Sequence, residues 1–334
     1  MKVNSFIKYQ LKKWAPLFIV LAIYCFVFGI LANSKIFSYD RGFILSSVIF
    51  PTLIIPAYVL PFFVFKEQFN KNMADTVNAF PANKYQITRI RILIGLVFIA
   101  ALSFFLHICC ILSAPSEYKV AYFLAYLFCL ASVCVLYLMN CTLVSLGNTF
   151  INSAIYLSCG CIILFGFVPT LFAIFGWETD LTNILSTFGG VISSEYILLQ
   201  IELGQQLTYK AGYIILFVFI YLVQMGIGAL SFFVKQPSGE YYAVPGARNK
   251  YHKIILYGAI GLVHILLGAL LGRLNITFLG TELNLTVYLV LFIWSYIIIV
   301  IFDKKFKISI NDWIILGSIE FAGVLLRIVL SLVS

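Results

Sequence analysis

A chain of 334 residues that is 62% hydrophobic and only 10% charged, with a mean hydropathy of +1.04, is not a water-soluble globular protein, nor is it disordered. Its apolar runs are too many and too long, and they indicate an all-α, polytopic helical membrane protein whose core is a bundle interior. The net charge of +9 follows the ends of those runs, so it marks a membrane surface and not a nucleic acid partner.

Residues 1–13 (MKVNSFIKYQLKK) read as a basic amphipathic lead-in, with Val3, Phe6, Ile7 and Tyr9 toward lipid headgroups and Trp14 as an interfacial anchor. Spans follow at about 14–32, 43–65, 92–114, 120–146, 150–176, 211–234, 254–272, 285–302 and 313–333. Each is near the ~20 residues that a ~30 Å hydrocarbon layer requires. The first run is long and lacks a small-residue cleavage motif, so it is expected to stay as a span. Pro51, Pro56 and Pro61 predict a kinked second span, its freed carbonyls satisfied by neighbouring helices or water.

The polar stretch 66–91, KEQFNKNMADTVNAFPANKYQITRIR, interrupts the apolar pattern between the second and third spans. Phe69, Met73, Val77 and Phe80 recur at helical spacing and predict a short helix over Gln68–Ala79 with one apolar face. Pro81 ends it, and Asn83 can cap the next helix, which runs through Lys84, Tyr85, Arg89 and Arg91. Such an element is either gripped by a partner or lies on the membrane surface.

Lys and Arg set the orientation. Sixteen of the 22 fall on segments that alternate with five (Lys35, Arg41, Lys119, Lys210, Arg273) on the other side, and Arg327 lies within the last span. This bias predicts a cytoplasmic N-terminus and, with nine spans, an outer C-terminus. The outer segment 178–210 carries apolar residues at helical spacing, which fits a hairpin dipping into the outer leaflet or a pair lying on it. Glu320 and Arg327 in the last span leave open whether it crosses or lies in the interface.

Chemistry is sparse. There is no GxxxxGK[ST], HExxH or GxSxG, and the eight cysteines sit in apolar runs without metal-ligand spacing, as small buried hydrophobes do. His107, His252 and His264 have no acidic neighbour three or four positions away, and with Glu320 they give no evident convergence. A lone intramembrane histidine is more often an interhelical hydrogen-bond partner than a catalyst. Asn140 and Gln224 are either helix-to-helix glue or groups lining a pathway. The same pathway candidacy extends to Pro56 and Asn152.

The stretch 66–91 resembles the first cytoplasmic loop of ABC-2 type exporter permeases from Gram-positive bacteria, carried by Ala74-Asp75, Phe80-Pro81 and Tyr85-Gln86 before a basic entry to the third span. Leu146-Gly147-Asn148-Thr149 resembles the family's turn between spans four and five, and 178–210 its re-entrant outer region. The segment 235–253 (KQPSGEYYAVPGARNKYHK) is similar to the stretch after span six in one branch. Lys84 stands where the family usually has Arg, and Lys235-Gln236 replaces its Lys-Arg pair.

The resemblance implies a six-span core over 14–234 with about three further C-terminal spans in 254–334, joined by a cytoplasmic linker at 235–253. Residues 1–13 would be the connecting helix. Phe69, Met73, Val77, Phe80, Pro81, Lys84 and Tyr85 would couple to a separate ATPase, with Gly147 and Asn148 as a shorter second contact. Arg89 and Arg91 would complement acidic residues at that ATPase's rim. ATP and Mg would be bound by the partner ATP-binding subunits, and no cofactor by this chain. A second permease chain, identical or homologous, would complete the path in a bacterial plasma membrane. The implied function is export of a hydrophobic or amphipathic substrate, such as a peptide antibiotic or lipid. The competing readings are an intramembrane acyl- or glycosyl-transferase and a membrane sensor of antibiotics or lipids that does not transport.

Overall fold

The computed structural model describes residues 3–36, 50–69, 72–73, 77, 83–113, 116, 119–147, 149–160, 211–234, 252–273, 281–303 and 309–333, with some side chains near the ends of these stretches left aside. Almost all of them are helical, and no strand occurs among them. The helices are α1 (Val3–Ile36), α2 (Phe50–Val64), α3 (Lys84–Ser113), α4 (Lys119–Ser145), α5 (150–160), α6 (Ala211–Leu230), α7 (His252–Arg273), α8 (Thr281–Asp303) and α9 (Ile310–Val333). Two contain a stretch long and apolar enough to cross a membrane, Phe6–Ile30 in α1 and Lys84–Ile108 in α3. Each is 25 residues, or ~37 Å of helix at 1.5 Å per residue. Shorter apolar stretches occupy α2, α4, α6, α7 and α8. The outer segment 178–210, the linker 235–253, and Phe80, Pro81 and Asn148 lie outside the described residues.

The chain forms two compact units, 1–150 with 186–243 and 151–185 with 244–334. This division differs from the expected 14–234 and 254–334 by placing 151–185 with the C-terminal helices. The lead-in 1–13 is not a separate helix, because α1 runs without interruption from Val3 through Pro16 to Ile36.

In the first unit α3 packs against α1, α2 and α4, and α4 packs in turn against α2 and α6. Close approach is possible because small residues sit at the crossings. A Cβ on Gly95 of α3 would lie 1.9 Å from the hydroxyl of Tyr137 on α4, which donates to the Ile92 carbonyl at 3.3 Å. On α6, a Cβ on Gly228 would meet the Leu138 Cβ at 3.0 Å. Trp14 and Phe18 of α1 pack against Phe98 of α3.

The carbonyl that Pro61 leaves unpaired within α2 has an identifiable partner. Pro61 has no N–H to give the Ala57 carbonyl one turn earlier. Asn140 of α4 donates its side-chain amide to that carbonyl at 3.1 Å, with Asn140 fully buried. A carbonyl left bare in an apolar interior costs about 1–3 kcal/mol, so this contact fixes the α2–α4 register. Asn140 thus joins α4 to α2 through its amide nitrogen.

In the second unit α7 and α9 run parallel. Tyr257 donates to Asp312, Gly261 lies beside Ile319, and His264 meets Glu320. Ser309 and Asp312 form a reciprocal cap at the start of α9, the Asp312 N–H to Ser309 Oγ and the Ser309 N–H to Asp312 Oδ2, both at 3.2 Å. Trp313 stacks on Tyr296 of α8, with ring centroids 5.6 Å apart.

Candidate functional site

Five helix ends gather at one end of the first unit: the starts of α1 and α3 and the finishes of α2, α4 and α6. The pattern follows from chain direction. Helices α1 and α3 run one way, while α2, α4 and α6 run the other. The polar stretch 66–91 begins and ends within this cluster.

Its first residues form a tight turn, Lys66–Phe69, directly after α2. Glu67 in that turn is 5% exposed, which is costly for a carboxylate unless cations compensate it. Two do. Lys13 of α1 reaches one carboxylate oxygen at 2.5 Å, and Arg91 of α3 pairs with the other. Arg91 is 1% exposed and lies over the ring of Phe6, 5.7 Å from its centroid. One side chain thereby ties the turn to two helices.

The next residue ties it to a third. Gln68 is buried and donates long hydrogen bonds, 3.4 Å each, to the carbonyls of Val144 and Gly147. Carbonyls at a helix C-terminus have no partner one turn on, and a side-chain amide suits them. The buried Gly147, expected as part of a second contact with a motor, is in this way joined to the first contact within the chain.

A smaller apolar cluster sits beside the ion pairs: Phe6, Val77 and Ile87 are buried together, with Ile90 packed against them. Val77 is therefore occupied inside the chain. Phe69 is half-buried in an aromatic trio with Phe62 and Phe150, its centroid 6.5 and 6.2 Å from theirs. Of the four residues expected on one partner-facing ridge, only Met73, 43% exposed, stays open among the described residues. Tyr85 is also exposed, at 39%, and Lys84 is half-buried. Phe69 itself closes the tight turn Lys66–Phe69, ahead of the helical residues described at 72–73 and 77.

Asn83 caps α3 as expected. Its Oδ1 accepts from the Tyr85 N–H at 3.0 Å, and Gln86 reaches back to the Asn83 N–H at 3.4 Å. Arg89 and Arg91, expected at an acidic partner's rim, are engaged at home. Arg91 neutralises Glu67, and Arg89 donates to the Phe232 carbonyl at 2.8 Å with its guanidinium above Phe233. Phe6 likewise faces this interior and not lipid headgroups, while Tyr9 is exposed.

Of the candidate pathway residues, Pro56 is buried in α2 and Gln224 in α6, while Asn152 is half-buried in α5. The structure brings together a pair the sequence did not: His264 Nε2 and Glu320 Oε1 are 2.7 Å apart. Such a pair is what intramembrane acid–base chemistry would need. The other ring nitrogen is bonded to the Ile260 carbonyl at 2.7 Å, so Nδ1 is engaged within its own helix while Nε2 faces Glu320.

No protein-family model matches the chain, and neither a curated protein nor a solved structure matches it.

Proposed function

We propose that this chain is the membrane-spanning permease subunit of an ATP-driven exporter of the ABC-2 type, moving a hydrophobic or amphipathic substrate out of a bacterial cell. ATP and Mg are held by separate ATPase subunits, and a second permease chain completes the path. In this reading nine crossings leave the N-terminus in the cytoplasm, and the gathered helix ends of the first unit face the motor.

The observation that carries the reading is the clasp at Glu67 and Gln68. A force applied to the polar stretch passes at once to α1 through Lys13, to α3 through Arg91 and to the end of α4 through Gln68. A loop that merely lies on a membrane has no need of a buried carboxylate with two cations, since lipid headgroups and water would solvate its charges. A handle that must move three helices together does. Met73 and Tyr85 are the exposed surface by which it is gripped.

Co-purification tests the reading. Detergent extracts of cells expressing the tagged chain are expected to hold an ATPase with it, and Met73→Asp and Tyr85→Ala are expected to weaken that association by tenfold or more. Lys13→Ala, which leaves the buried Glu67–Arg91 pair in place, is expected to keep the ATPase bound but weaken substrate-stimulated hydrolysis, because the grip survives and its tie to α1 does not. An extract with no nucleotide-hydrolysing partner, or full assembly with Met73→Asp, overturns the assignment.

A further inference from the structure

The second unit contains a feature that the export reading does not use. His264 on α7 is fully buried, and Glu320 on α9 has a side chain 17% exposed. We propose that these two side chains form a proton-binding site, which takes up one proton when α7 and α9 pack together and holds it between the imidazole and the carboxyl.

The argument is one of donors and acceptors. A backbone carbonyl can only accept, so the 2.7 Å contact from His264 Nδ1 to the Ile260 oxygen fixes a hydrogen on Nδ1. In a neutral imidazole that leaves Nε2 as a bare lone pair. Glu320 Oε1 lies 2.7 Å from it, too close for two acceptors with nothing between them. The contact is favourable only if a proton bridges it, either on the carboxyl facing a neutral ring or on the ring facing a carboxylate. Both arrangements contain the same single proton and the same net charge of zero. Losing it leaves a carboxylate against a lone pair, and gaining a second leaves an imidazolium against an un-ionised acid with one hydrogen too many.

Among the described residues, no other titratable side chain supplies that hydrogen. On α7 and α9 the described ones are Tyr257 and Asp312, bonded to each other about two turns away. Helix α8 contributes Tyr296, stacked on Trp313. The side chains of His252, Lys253, Arg273, Glu282, Tyr288, Asp303 and Arg327 lie outside those described.

A separated histidine and glutamate, with ordinary values of ~6.5 and ~4.3, carry together almost no such proton at pH 8.5. Packing therefore binds a proton from solvent above about pH 6.5. Since the folded state then holds more protons than the unfolded one, stability falls as pH rises. Below about pH 4 the separated pair binds two protons and the folded pair one, so stability falls again on the acid side.

The test uses the full-length chain in detergent, with thermal unfolding followed by helical circular dichroism between pH 6.5 and 8.5. The wild-type midpoint is expected to fall by roughly 5 °C over that range. In Glu320→Gln the amide N–H donates to Nε2 without a titratable proton, and in His264→Gln the amide donates to the Glu320 carboxylate. Both variants are expected to lose that fall. A wild type with a flat profile overturns the proposal, as does any folded variant of the two that keeps the wild-type slope. If one variant fails to fold, the other decides.

Discussion

The two charged clusters of this chain, one in each unit, solve the same physical problem by opposite means. At Glu67 the buried carboxylate is neutralised by permanent cations, Lys13 and Arg91, drawn from two other helices. At Glu320 the only described neighbour able to neutralise the carboxyl is a histidine, and the hydrogen that joins them must come from solution. The first arrangement carries its own counter-charges and joins the turn to two helices. The second is complete only while a proton is bound. Fixed charge gives rigidity, whereas titratable charge gives a site that responds.

The sharpest way to break this contrast is to remove the carboxylate of the fixed cluster. Glu67→Ala leaves Arg91 buried and uncompensated, which is expected to cost about 3–5 kcal/mol. The consequence is loss of folded protein in detergent, read by size-exclusion chromatography and thermal unfolding. The loss should be the same at pH 6.5 and 8.5, in contrast to the wild-type slope expected from the His264–Glu320 pair. A pH-dependent penalty at Glu67 would erase the distinction.

Next in size comes the scaffold that holds the first cluster in register. Gly95→Ala would place a methyl 1.9 Å from the Tyr137 hydroxyl, so α3 and α4 must separate or the ring must leave. The expected cost is about 1–3 kcal/mol, read as a lower midpoint. Trimming the ring, as Tyr137→Leu in the same chain, should recover part of it. Asn140→Leu removes the donor to the Ala57 carbonyl freed by Pro61 and is expected to cost about 1–3 kcal/mol, again without pH dependence.

How much of this was legible in the sequence differs between the two units. The nine apolar runs correspond to nine helices among the described residues, and the Asn83 cap stood in the letters N-K-Y-Q, an N-cap followed by a reciprocating Gln. That the carbonyl freed by Pro61 needs a neighbour was legible too. Which neighbour was not, because Asn140 lies 79 positions away and no local pattern links the two.

Two residues of the expected partner-facing ridge make contacts within the chain that spacing alone does not show. Spacing of four, four and three assumes one continuous helix, and the turn at Lys66–Phe69 rotates Phe69 into an aromatic trio while Val77 packs against Phe6. Glu67 gave a signal that went unused: an acid placed immediately after an apolar span, among basic residues on the predicted inner side, is a candidate buried counter-ion. His264 and Glu320 carried the same kind of signal, two ionisable groups in apolar runs. A search limited to neighbours three or four positions apart could not pair residues on different helices.

The smallest expected effect divides the two cations that share Glu67. Lys13 keeps a third of its side chain exposed, while Arg91 is buried to 1%. Water therefore screens the Lys13 pair and leaves the Arg91 pair unscreened. Lys13→Ala is expected to cost about 0–1 kcal/mol after that discount, and raising the salt from 0.1 to 0.5 M should shrink the difference from wild type further. Arg91→Met, by contrast, strips a buried carboxylate of its buried partner and should be as damaging as Glu67→Ala, with little dependence on salt. Thermal midpoints of the two variants at both salt concentrations test this. Were Lys13→Ala the more damaging, the tie between the turn and α1 would be the stronger one, and force on the polar stretch would pass mainly to the first helix and not to the third.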